Sequence, residues 1–320
     1  MKRIAALSAI AALGWTVSAA AQVVAFGSGP AGNFNYSAAA AIAQLVNNKA
    51  GMQARVQPFG GSSTYVPMMD RGELDFATLN ALEMASALAG TDTFEGRKNE
   101  NLRVVSVLLP FPAAFFVRKD AAVRTMADLK GKTLPGGYAS QTTLIPLTTA
   151  MLANGGVTWN DVKMVPVPNN GKAADDFATG RLDGFMFAFG AGKVKEADAA
   201  VGGVRAVPLV NTPEAIAAMQ KVVPQSYPVV IQPAPHLTGV MEPGTFMAYD
   251  LLWVTSTNTS EEIVYKLTKA MHDNPDALAA SFASLREFAP GKMAKKLDPA
   301  QFHPGAVKFY REAGQWPPKG

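Results

Sequence analysis

The segment VVAFGSGPAGNFNYSAAAAIAQLVNNKAGMQARVQP, residues 23–58, decides the fold class. Its first residues, 23–26, form a short apolar run that reads as a strand, and the alanine-rich stretch 37–49 reads as a helix. Residues 54–58 read as a second strand, so the unit is β-α-β with a glycine-rich turn at 27–32 between the first strand and the helix. The same alternation continues through a helix at 64–70 and a strand at 75–79, which makes the chain an α/β protein with mostly parallel sheets. A further strand, 104–109, runs into Pro110-Phe111-Pro112, and two prolines predict an end to regular pairing and a crossover. Beyond it the beat resumes with a strand start at 115–118, a short helix at 126–132, a turn at 135–137 and a helix at 142–154. A strand at 163–167, a helix at 173–179 and a strand at 184–188 follow. Residues 211–244 are rich in proline and poor in periodicity, and then 249–255 reads as a strand and 261–272 as a helix. This order predicts a first lobe at 22–111, a second at 112–243, and a return to the first lobe with C-terminal helices at 244–320.

The chain of 320 residues is 48% hydrophobic and 17% charged, which suits a large packed core and excludes disorder. Its net charge of +4 is spread along the sequence rather than gathered in a basic stripe, so nucleic acid is excluded as a partner. With no cysteine, thiol chemistry and thiolate metal sites drop out, and His236, His272 and His303 are too far apart for a local ligand motif. No metal or cofactor is expected. Met1-Lys2-Arg3, the apolar run 4–17 and the small residues Ala19-Ala20-Ala21 read as a signal peptide over residues 1–21, too short to span a bilayer, which predicts export to the periplasm.

Gly27-Ser28-Gly29-Pro30-Ala31-Gly32 is formally a dinucleotide fingerprint, but the next strand carries no acidic residue to hold a ribose. It reads either as a plain tight turn or as an anion cradle, since backbone N–H groups at a helix start favour negative charge. Ser28, Asn33, Asn35 and Tyr36 would add hydrogen bonds there, and Phe34, Tyr138 or Phe189 would cover a ligand. The design recurs as Gly60-Gly61-Ser62-Ser63-Thr64 and as Gly136-Gly137-Tyr138-Ala139-Ser140-Gln141-Thr142. Three small-polar loops at helix starts in both lobes predict a shared interlobe cleft with a hinge. Asn80 follows the strand at 75–79 and is expected in the cleft, while Glu83 reads equally as a cleft residue or a solvated helix residue. Phe185, Phe187 and Phe189 alternate on one strand face, a core pattern in which Phe189 stands at the open end. No nucleophile elbow is present, and the acidic pairs Asp175-Asp176 and Glu261-Glu262 read as solvated helix faces, so no catalytic residue is assigned.

In order, GSGPAGNFNY (27–36), PFGGSSTYVPMMDRGELDFATLN (58–80), MADLKGKTL (126–134), FATGRLDGFMFAFGAG (177–192) and HPGAVKFYREAG (303–314) resemble the TAXI group of solute-binding proteins of tripartite ATP-independent periplasmic (TRAP) transporters. The resemblance implies a two-lobed periplasmic binding protein fold of the second type, a non-enzymatic monomeric receptor, and delivery to a TRAP permease. It also implies a small organic anion as ligand, a dicarboxylate, keto acid or acidic amino acid such as glutamate. On that reading Ser28, Tyr36, Ser62, Asn80, Ser140, Thr142 and Phe189 fall in the cleft loops, with Phe34, Asn35, Ser63, Tyr138 and Gln141 beside them. An ion pair from Arg103 or Arg118 is the rival account of anion binding, and a secreted hydrolase or transferase, or a periplasmic sensor or binding module, the rival class.

Overall fold

The computed structural model describes residues 22–318, so the segment expected to be a signal peptide, 1–21, lies outside the described residues. The chain opens with strand β1 (Gln22–Ser28), helix α1 (Phe34–Lys49), strand β2 (Met52–Pro58), helix α2 (Ser62–Asp70), strand β3 (Phe76–Asn80) and helix α3 (Ala81–Ala89). The β-α-β reading of residues 23–58 therefore holds, with α1 starting earlier than the alanine run because Phe34 is buried against Phe111 and Phe282. β1 pairs in parallel with both β2 and β3.

Strand β4 (Leu102–Arg118) passes straight through Pro110 and Pro112, where an interruption was expected. Pro110 stands opposite Asp250 and Pro112 opposite Ala248, both on strand β10 (Gly244–Ser256). Pairing on the other flank of β4 begins only at Ala113, so the missing proline N–H groups interrupt no ladder. The Pro112 carbonyl is still used there, accepting from the Phe189 amide at 3.1 Å. β10 is longer than its sequence pattern showed because all of its positions from Phe246 onward are buried, leaving no polar alternation to mark its start.

The second half of the molecule contains β5 (Thr133–Gly136), α4 (Leu144–Asn154), β6 (Lys163–Pro166), α5 (Asn170–Ala178), β7 (Gly184–Ala188), α6 (Gly192–Val201), β8 (Val204–Val207), α7 (Pro213–Val222) and β9 (Tyr227–Ile231). Residues 211–244, read as aperiodic, thus carry α7 and β9. α7 is capped by Thr212, whose side chain accepts from the Ala215 amide, and buries only Met219, too little apolar surface to print a helical stripe. The chain closes with α8 (Glu261–Asp273), α9 (Pro275–Ser281) and α10 (Pro304–Glu312). No helix among the described residues is long and apolar enough to cross a membrane.

One sheet runs β2-β1-β3-β10-β4-β7, with β8 on β4 and β9 on β10, and β5-β6 form a separate parallel pair. The sheet is mixed rather than mostly parallel, because β10 returns antiparallel between β3 and β4. β4 and β10 run side by side through both halves, Thr255 to Phe246 of β10 passing from β3 to β9. This is the two-lobed periplasmic binding protein fold. The boundary expected after residue 111 falls inside β4, and the one expected after 243 falls at the first residue of β10.

Under the first half, Trp253 stacks on Phe76 with centroids 5.9 Å apart and meets Phe26 edge-on at 4.9 Å. Under the second, Phe116 stacks on Phe185 at 5.5 Å, and Phe177 closes on Phe185 at 4.8 Å. Because Trp253 is fully buried, Trp253→Ala is expected to cost about 3–5 kcal/mol in a urea denaturation series, with an unchanged denaturant slope.

Candidate functional site

Four helix starts meet where the two halves face each other: α1 at Asn33–Asn35, α3 at Asn80–Glu83, α4 at Thr143 and α5 at Asn170. They enclose a cavity of about 50 Å³ whose apolar walls include Phe34, Phe111, Leu144, Phe187 and Tyr249. That volume holds little more than a water or two, so the cleft is closed. Direct contacts seal it. Ser63 Oγ donates to the Ser140 carbonyl at 3.4 Å, Thr93 and Thr142 hydroxyls meet at 2.5 Å, and Asn33 Nδ2 donates to Asn170 Oδ1 at 3.5 Å.

Glu83 is the acidic centre of this arrangement. The strand β3 ends at Asn80, which caps α3 in a capping box: the Glu83 amide donates to Asn80 Oδ1 at 2.8 Å, and the Asn80 amide donates back to Glu83 Oε2 at 3.3 Å. Asn80 Nδ2 adds a bond to Oε2 at 2.7 Å, and Ser62 Oγ, from the start of α2, donates to Oε1 at 2.5 Å. Burial pushes the Glu83 carboxyl above its ordinary range, opposed by the hydroxyls of Ser62 and, from the other lobe, Thr143, and by the Asn80 amide. Tyr65 and Tyr249 both lie within its field, which pushes their phenols upward beyond the effect of burial. Among the described residues lining the cavity there is no Lys, Arg or His, and Glu83 has no cation in salt-bridge range.

Of the residues singled out from sequence, the structure brings Phe34, Asn35, Asn80 and Gln141 to the cavity wall. Ser62 acts through Glu83, and Ser63, Ser140 and Thr142 make or adjoin the seal between lobes. Four others stand elsewhere. Ser28 is fully buried at the end of β1 and donates to the Gly29 carbonyl. Tyr36 is half-buried on α1 and does not line the cavity. Tyr138 is fully buried in the main hydrophobic core with its hydroxyl unpartnered, and Phe189 is packed on Phe116 and Phe246 at 5.5 and 4.8 Å. Both fill the second half's interior. The rival ion pair also fails: Arg103 bonds the carbonyls of Glu100 and Leu102, and Arg118 lies over the Phe177 ring.

Sequence reasoning missed Thr143, Asn170 and Tyr249, and left Glu83 open. The capping-box spacing of Asn80 and Glu83 was a usable signal, whereas Tyr249 sits in an apolar strand whose face only the sheet pairing assigns. Among the described residues no group of three His, Asp or Glu could hold a metal ion. His303 accepts from the Gly305 amide at 3.1 Å and so caps α10.

A profile of the NMT1-like family matches residues 26–314. The chain belongs to the NMT1-like family. This replaces the TAXI assignment that the motifs suggested. PhnD1 from Prochlorococcus marinus in complex with methylphosphonate superimposes with a TM-score of 0.53 at 11% identity, over 92% of this chain and 99% of that one. A binding protein component of an ABC phosphonate transporter from Pseudomonas aeruginosa gives 0.51 at 11% identity, over 84% and 80%. A double mutant of the BvgS VFT2 domain of Bordetella pertussis gives 0.51 at 16%, over 82% and 93%. At these identities the likeness is one of fold.

Because folding raises the Glu83 pKa above its ordinary 4.5, the native state binds this proton more tightly than the unfolded chain, and the group's contribution falls as pH rises from about 4.5 through the folded value. Glu83→Gln is expected to abolish that part of the slope: the difference in melting temperature between variant and wild type should move in the variant's favour from pH 4 to pH 7.

Proposed function

We propose that this chain is a periplasmic receptor that closes two lobes on a small solute and presents it to a membrane transporter. The observation that carries the reading is the sealed cleft itself: polar helix starts from both lobes converge on one cavity, and residues far apart in sequence, Ser63 with Ser140 and Thr93 with Thr142, bond across its mouth. β4 and β10 supply the hinge about which the lobes part, working as a monomer. The family and fold support a binding protein rather than an enzyme, and an ABC permease is the partner proposed, in line with the description of the Pseudomonas aeruginosa component. Export is part of the proposal: cleavage after Ala21 leaves a mature chain beginning at Gln22, which intact mass of the periplasmic fraction would show.

Gly61 is the point at which the seal is tightest. A Cβ at this position would overlap the Ser140 carbonyl oxygen, a backbone atom that cannot yield without moving the opposite lobe. Gly61→Ala is therefore expected to hold the lobes apart, enlarging the radius of gyration in small-angle scattering and weakening solute binding roughly tenfold or more, with the melting curve still cooperative. An unchanged scattering profile and unchanged affinity would remove lobe closure from the mechanism.

A further inference from the structure

The sign of charge in the cleft runs against the organic anion expected from sequence. Glu83 brings a carboxylate into the cavity, and among the described residues lining it no basic side chain answers that charge. A buried carboxylate without a counter-ion is held only by hydrogen bonds, here from Ser62, Asn80 and, from the other lobe, Thr143. A second acceptor points to the same deficit. Asn35 lines the same cavity, and its Oδ1 is buried without any hydrogen-bond partner. An orphaned buried acceptor is costly, and an N–H donor from a ligand removes the cost. The walls add a third element: Phe34 meets Phe111 edge-on at 4.8 Å and Phe111 meets Tyr249 at 5.5 Å, an aromatic lining of the kind that attracts a positive charge to its ring faces.

Resting on the receptor reading above, we propose that the cleft selects solutes bearing an organic ammonium group, placed against Glu83 and Asn35 Oδ1 and screened from water by Phe34, Phe111 and Tyr249. A solute with carboxylates alone meets Glu83 unpaired. Selection thus follows from like-charge rejection as much as from attraction.

The test is a thermal-shift and calorimetric comparison of the mature protein with putrescine and choline on one side and succinate and glutarate on the other. The expected result is stabilisation by at least one amine and by neither dicarboxylate. Glu83→Gln, which keeps the side chain's shape and one acceptor, should weaken the amine about tenfold or more. Asn35→Asp, placed in the first turn of α1 where negative charge is tolerated, should strengthen it several-fold. Binding of succinate or glutarate alone would overturn the ammonium site while leaving the receptor standing. Amine binding that is indifferent to both substitutions would overturn it as well, and so would the absence of any amine response. In that last case, scattering of wild type against Gly61→Ala reports separately whether the lobes close at all.

Discussion

The antiparallel pairing of β4 with β10 is the constraint from which the rest of the molecule follows. Both strands run through the two halves, so β3 and β9 on β10 and β7 and β8 on β4 are all paired to one shared ladder. Backbone hydrogen bonds resist stretching but tolerate twist and bend, and the register shifts at Leu251/Leu252 and Trp253/Val254 give the ladder local freedom. Such a connection holds two bodies at a fixed spacing while allowing their faces to approach. The prolines of β4 fit this role: each removes a donor on the flank where no strand pairs, and each stiffens the backbone at the crossing.

Because the ladder fixes which faces oppose each other, it also fixes what meets in the cleft. β3 delivers Asn80 and α3 delivers Glu83 from one side, and the start of α4 delivers Thr143 from the other. The helix starts would ordinarily make the cavity electropositive through their unpaired N–H groups. Glu83 reverses that at one wall. Its carboxylate is bound into the capping box of α3 and to Ser62 at the start of α2, so the charge is positioned by the same hydrogen bonds that terminate the helices.

Much of the fold was legible because period-two and period-3.6 patterns are written locally, as in residues 23–58 and in β7, whose span was read from GFMFA alone. The failures have physical causes. β4 was cut at Pro110 because a proline's effect depends on which flank of the strand is paired, a tertiary fact. α7 and β9 were missed because each has one face on solvent and few buried positions. In the site, the glycine-rich loops pointed correctly to helix starts, but Ser28, Tyr138 and Phe189 were assigned to a cleft they do not face. A loop's composition shows that it turns; it does not show on which side of the sheet the next side chain emerges.

What the sequence by itself determined is the class of the protein: an α/β chain of two lobes, rich enough in apolar residues to fill both, with polar glycine loops at the helix starts. These are properties of short segments, set by backbone sterics and by which side chains prefer water. Only the tertiary structure decided the character of the cleft. Glu83, Asn35 and Tyr249 lie in three separate segments, and it is the pairing of β3 and β4 with β10 that brings them to one cavity without a basic residue among them. Charge balance at a buried point is a sum over neighbours in space, and no local pattern in the chain carries that sum.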